Sequence, residues 1–229
     1  MGLCTRGRCH SILGPVAVEE IIALLEREYG PREWRPDRDP VDVLIQTILS
    51  QNTSDTNSDR AFASLKEGFD SWEAIAAAPV DHVARAIQSG GLFRIKAARI
   101  QRILDQIRQE RGSISLDALR EMSRSAAEDY LMRLPGVGRK TASCVLLFSL
   151  GKPSLPVDTH VFRVAKRLGL VDCKVSVEEA HSLLQEQTPP ALMYQFHVHM
   201  IEHGRRICHA RRPSCKTCIL RDVCPGATR

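Results

Sequence analysis

Two charged side chains and four thiols in this chain have types and spacings that could carry chemistry. Lys140 directly follows the run Leu134-Pro135-Gly136-Val137-Gly138-Arg139. A lysine amine that has lost its proton is a nucleophile able to form a Schiff base. Burial, or a neighbouring cation such as Arg139, moves its pKa toward that state. Eighteen residues on, Asp158 lies in Val157-Asp158-Thr159-His160, just after Pro156. A carboxylate there could stabilise a cationic centre or shuttle a proton. Each residue also has a plainer reading: a lysine in a first helical turn is commonly solvated, and an Asp before Thr-His-Val-Phe serves as an N-cap. The thiols form the pattern Cys208-x6-Cys215-x2-Cys218-x5-Cys224. Four soft ligands so close can wrap a tetrahedral ion or a cubane cluster. Zinc sites more often show two Cys-x-x-Cys pairs, and here there is one.

The glycines ahead of Lys140 add a second kind of site. Gly136 and Gly138 permit backbone conformations that a Cβ would obstruct, and they leave amides uncovered. A helix begins at the same place, so its unpaired N–H groups and positive dipole end point there. An anion such as a DNA phosphate suits that geometry. Val137, between the glycines, is expected to tuck inward and lock the flanking helices together. An ordinary tight turn would use the same Gly-x-Gly, so the motif alone decides nothing.

The elements that must position these residues read as helices almost throughout. Val41, Leu44, Ile45, Ile48 and Leu49 repeat at helical spacing, as do Ile100, Ile103, Leu104 and Ile107. Asp39-Pro40 reads as an N-cap followed by proline at the first helical position; Ser125 with Glu128, and Ser176 with Glu179, fit capping boxes. Gly112 and Gly169 are placed to close helices. The pattern predicts helices over 16–29, 40–51, 55–68, 71–77, 80–88, 94–111, 116–122, 125–133, 139–150, 159–168, 176–187 and 190–205. No alternating strand run and no long linker interrupts them, so the fold class is all-α.

Charge and cysteine usage narrow the partners. The net charge is only +5, yet His203–Arg229 alone contributes +6, so the remaining chain is near −1. A basic patch confined to one end suits phosphates, although a solvated basic tail would have the same composition. No stretch approaches a membrane span, and Met1–Val18 lacks the apolar run of a signal peptide. Cys4, Cys9, Cys144 and Cys173 are scattered, as ordinary small or surface residues would be. A metal-type site in a reducing compartment, taken as the cytoplasm, fits better than a disulfide framework.

The hairpin, Lys140 and Val157-Asp158-Thr159-His160-Val161-Phe162-Arg163-Val164 together resemble the helix–hairpin–helix DNA glycosylase superfamily, and within it the endonuclease III family. The resemblance spans roughly residues 40–225. It implies that Lys140 and Asp158 are the catalytic pair, since purely base-removing relatives carry another residue at the lysine position. It implies that Gly136, Val137, Gly138 and Arg139 hold a DNA phosphate. It further implies that Cys208, Cys215, Cys218 and Cys224 bind a [4Fe–4S] cluster, which pins a loop presenting Arg211 and Arg212 to DNA. A damaged base must leave the stack before its glycosidic bond is accessible. By resemblance a polar side chain, Gln51 or Asn52, fills the gap, and Leu92 wedges beside the opposite strand. Helix capping would equally explain Gln51 and Asn52, and core packing would explain Leu92.

The resulting expectation is two helical lobes with a DNA cleft between them: a six-helix barrel with the hairpin over 37–152, and a cluster lobe from 1–36 and 153–229 with its loop at 208–224. The expected activity is removal of oxidised pyrimidines from double-stranded DNA, followed by cleavage 3′ of the abasic site, by a monomer that needs no dissociable cofactor. The segment Gln51-Asn52-Thr53-Ser54-Asp55 looks like its counterpart in plant 5-methylcytosine glycosylases, so the substrate could instead be a mismatched or methylated pyrimidine. A non-catalytic DNA-binding module would need only the hairpin, and an electron-transfer protein only the cysteine loop.

Overall fold

The computed structural model describes residues 17–227; Cys4, Cys9, the start of the 16–29 helix and Arg229 lie outside the described residues. The described residues contain eleven α-helices, several 3-10 turns and no strand. None of these helices is long and apolar enough to cross a membrane. The chain divides into two compact units, one running Trp34–Pro156, the other joining the residues up to Glu33 with those from Val157 onward.

In the Trp34–Pro156 unit, α2 (Pro40–Ser50) starts where Asp39 accepts a hydrogen bond from the Asp42 amide at 2.8 Å, with Pro40 in the first turn. Its apolar stripe, Leu44, Ile45, Ile48 and Leu49, is completely buried. The stripe meets its counterpart on α6 (Phe93–Arg111), where Ile100, Ile103, Leu104 and Ile107 join the same core. Each such side chain contributes about 1.5–3 kcal/mol on burial, far more than helix propensity differences supply. Around these two lie α3 (Asp55–Gly68), α4 (Trp72–Ala77), α5 (Val80–Ala86), α7 (Arg124–Met132) and α8 (Arg139–Phe148).

The other unit contains α1 (Val18–Tyr29), α9 (Thr159–Leu168), α10 (Val177–Gln187) and α11 (Met193–Arg206). Tyr29 Oη lies 2.9 Å from His203 Nδ1, and His199 Nε2 lies 2.9 Å from the Gly30 carbonyl, tying α1 to α11. Gly204 lets α11 approach α9: a Cβ there would stand 3.0 Å from His160 Cβ.

Gly112 and Gly169 close α6 and α9 in the left-handed conformation, at φ +79° and +74°. The Ser176–Glu179 capping box is formed. Three readings are corrected. The helix at 116–122 is a 3-10 turn, Asp117–Arg120. Ser123, not Ser125, caps α7, because Arg124 then falls inside the helix and pairs with Glu128 one turn on, at 2.9 Å. The last long helix starts at Met193, and Pro190–Leu192 before it form a 3-10 turn.

Candidate nucleic-acid interface and active site

The hairpin joins α7 to α8. Val137 donates its amide to the Leu134 carbonyl at 3.1 Å, and Gly136 turns the chain at φ +72°. The Val137 side chain is buried beneath the turn. Gly138 is the N-cap of α8, is exposed, and brings no side-chain cap. No N-cap side chain covers the opening amides of α8, and the half-buried Lys140 lies in the same first turn. Arg139 is also half-buried, 3.5 Å from Glu128 on α7.

The residues expected to open a duplex lie in two neighbouring segments of the same unit. Gln51 ends α2, and its side chain is engaged within the protein: Nε2 lies 3.3 Å from the Gly136 carbonyl, and Oε1 accepts from Arg99 at 2.9 Å. Asn52 is exposed at φ +54°. Leu92 is 53% exposed at φ +48°, next to Ile95 at 57%, so packing in the core does not account for it. The third non-glycine residue with positive φ among those described is Arg212, at +52°. Left-handed backbone costs such residues about 1–2 kcal/mol and persists where the surroundings impose it. All three fall on residues whose side chains are expected to meet DNA.

Asp158 caps α9, accepting the His160 and Val161 amides at 2.9 and 2.8 Å. Both bonds end on Oδ1, so the cap itself does not use Oδ2. Capping and a chemical role are thus compatible. Burial pushes the neighbouring His160 below the usual histidine range, with Asp158 opposing and Arg163 reinforcing that shift.

The four cysteines of the C-terminal loop line one pocket, floored by Val164, Leu168 and Leu220. Among the described residues no three Cys, His, Asp or Glu side chains converge as ligands of one ion. Thiols around an apolar-floored pocket suit a group with volume of its own, bound at its corners, and the N–H groups facing the sulfurs suit thiolates. Arg167 reaches Cys208 Sγ at 3.1 Å, and His203 Nε2 stands 3.5 Å from Cys218 Sγ. Burial lowers His203 to about 4. As a neutral ring it can accept the Tyr29 hydroxyl at Nδ1 and donate from Nε2. Burial and the neighbouring sulfurs push the Cys224 thiol up to about 11 and raise Cys218 as well, though backbone hydrogen bonds oppose the shift. Arg211 and Arg212 are exposed on the same loop, Cys144 is buried and Cys173 exposed.

Sequence reasoning missed Arg167, which also donates to the His209 and Ala210 carbonyls at 2.7 and 3.1 Å and so shapes the cysteine loop. In sequence it reads as an ordinary cation at a helix C-terminus. Lys96 and Arg99 were missed too. A lysine at core spacing, ahead of Ala97 and Ile100, was the available signal.

An all-helical fold in which a glycine hairpin opens a helix beside a lysine defines a class of DNA-repair protein. The chain belongs to the HhH-GPD superfamily of base excision DNA repair proteins, whose family model matches residues 45–190. Among its relatives, endonuclease III of Thermotoga maritima is 36% identical over 90% of this chain and 92% of its own length. A candidate DNA glycosylase of Arabidopsis thaliana is 40% identical over 73% of this chain, which spans 57% of that longer protein. The structure of a trapped endonuclease III–DNA covalent intermediate superposes with a TM-score of 0.79 at 30% identity, covering 93% of this chain and 97% of that one.

Proposed function

We propose that the chain is a bifunctional DNA glycosylase and abasic-site lyase of base excision repair, acting on oxidised pyrimidines in duplex DNA. The observation that carries this reading is the place of Lys140 in the first turn of α8, directly after the glycine hairpin. A phosphate held by the α8 amides would fix the backbone of the nucleotide next to that amine. Asp158 belongs to the other unit, and the reading requires it to serve the same nucleotide.

In this mechanism the neutral Lys140 amine attacks C1′ as the glycosidic bond breaks. The electron pair leaves with the base, which takes up a proton. Asp158 stabilises the positive charge developing on the sugar and relays the proton released by the amine. The C1′–O4′ bond of this adduct then opens, O4′ taking the relayed proton, to give an iminium that acidifies the C2′ hydrogen. Loss of that proton expels the 3′ phosphate, and water then hydrolyses the C=N bond to release Lys140. Asn52, exposed on left-handed backbone, is the better candidate to fill the gap, because Gln51 is held by Arg99 and Gly136. Leu92 is the wedge.

Cys208, Cys215, Cys218 and Cys224 would hold a [4Fe–4S] cluster, which when bound supplies a cross-link that rigidifies the loop bearing Arg211 and Arg212. Iron and acid-labile sulfide analysis should find about four of each per chain; stoichiometric zinc instead would replace the cluster in this reading. The thiol-rich site suits a reducing, cytoplasmic compartment, and a monomer suffices for the chemistry.

The test is a panel of duplexes, each carrying one modified pyrimidine, treated with and without borohydride. Excision of oxidised pyrimidines with a covalent adduct, lost in Lys140→Ala, is expected. Excision of only a mismatched or methylated base would change the substrate. No adduct on abasic DNA would leave a binding module.

A further inference from the structure

Lys96 is 2% exposed, so its ammonium is buried. A buried charge is costly unless fully hydrogen-bonded. Lys96 Nζ donates to two main-chain carbonyls, Leu49 O at 2.6 Å and Gly90 O at 2.7 Å. Leu49 stands three residues before Asn52, and Gly90 two before Leu92. One ammonium therefore joins the ends of the two segments that carry the exposed, left-handed side chains. The segments also abut directly. A Cβ on Gly91 would meet Thr53 Oγ1 at 3.8 Å and the Asn52 carbonyl at 4.0 Å, and Ser89 Oγ donates to the Asn57 carbonyl in the first turn of α3 at 3.2 Å.

Arg99, one helical turn further along α6, extends the arrangement by donating to Gln51 Oε1 at 2.9 Å. It packs so closely on the hairpin that a Cβ on Gly136 would stand 2.8 Å or less from its Nε, Cδ and Cζ atoms. The gap-filling segment, the wedge segment and the phosphate hairpin are thus all fastened to a single helix. The apolar face of α6 is buried separately, through Ile100, Ile103, Leu104 and Ile107.

We propose that Lys96 and Arg99 are positioning residues for duplex opening: they hold Asn52 and Leu92 at a fixed separation from each other and from the hairpin, so that both enter the helix together as the damaged nucleotide leaves. The proposal rests on the glycosylase reading above. It predicts a dependence on the opposite base that a purely structural role would lack. The gap-filler and wedge matter most when a paired partner must be displaced, and least when the lesion faces no base.

The experiment is single-turnover excision of thymine glycol opposite adenine and, separately, opposite a stable abasic analogue, with thermal unfolding recorded for each variant. Lys96→Met should slow excision about tenfold opposite adenine, equivalent to one charged hydrogen bond of about 1.4 kcal/mol, and about threefold or less opposite the analogue. Lys96→Arg, which can still donate to both carbonyls, should recover much of the loss. If Lys96→Met does not fold, Arg99→Leu should show the same split, since it frees Gln51 while leaving the Lys96 bonds to the Leu49 and Gly90 carbonyls in place. Equal slowing on both duplexes, or none, in a folded variant overturns the proposal. Absence of thymine glycol excision by the wild-type chain on either duplex would instead count against the functional reading.

Discussion

Gly136 and Arg99 are in such close register that a Cβ added to the glycine would lie 2.5 Å from the arginine's Nε. The glycine also sits at φ +72°, so two independent features disfavour a side chain there. Gly136→Ala should cost about 1–2 kcal/mol from the backbone alone, and Arg99 would have to move off Gln51. Thermal unfolding should fall and DNA affinity weaken together. A variant with wild-type melting and binding would show that the hairpin tolerates a Cβ.

In the proposed mechanism Asp158 serves both as a helix cap and as a carboxylate at the sugar, and substitution can separate the two. Asparagine keeps an oxygen for the His160 and Val161 amides, so Asp158→Asn should melt near the wild type while excision falls about a hundredfold or more. Asp158→Ala loses the cap as well, at about 1 kcal/mol. Excision unchanged in Asp158→Asn would remove the carboxylate from the mechanism.

Arg211 and Arg212 are exposed on the cysteine loop. If each neutralises one phosphate, replacing both with alanine should reduce the slope of log affinity against log salt by roughly 1.8. The measurement is DNA binding titrated across salt concentrations. A parallel line at lower affinity would place their effect elsewhere.

Burial lowers the pKa of His199 from its ordinary 6.5, and Arg32 adds to this against the Gly30 carbonyl, Glu202 and Glu26. The unfolded chain takes up a proton below about pH 6.5 where the folded chain does not. Stability from this site is therefore intact above that pH and lost as pH falls through it toward the folded value. The slope is at most about 1.4 kcal/mol per pH unit. Unfolding followed by denaturant at pH 7.5 and 5.5 should show the drop, and His199→Gln should shrink it. An identical drop in the variant would assign it to other groups.

Much of the fold was legible because helices are local. The stripes on α2 and α6, the Asp39 and Ser176 caps and the closing Gly112 and Gly169 each depend on residues within a turn or two. The choice of Ser123 over Ser125 was less legible, since both can cap and only the Arg124–Glu128 pair separates them.

The amino-acid order by itself determined the glycine hairpin, the lysine behind it, the Asp158 cap and the four-cysteine loop, because each is a run of neighbours whose spacing sets its geometry. Only the tertiary structure decided that Gln51 is bound by Arg99 and Gly136 while Asn52 and Leu92 stand exposed, and that Lys96 joins their two segments. Those contacts link residues far apart in the chain. They follow from how α2 and α6 pack, and the burial of a charge is settled by the carbonyls that the packing brings to it.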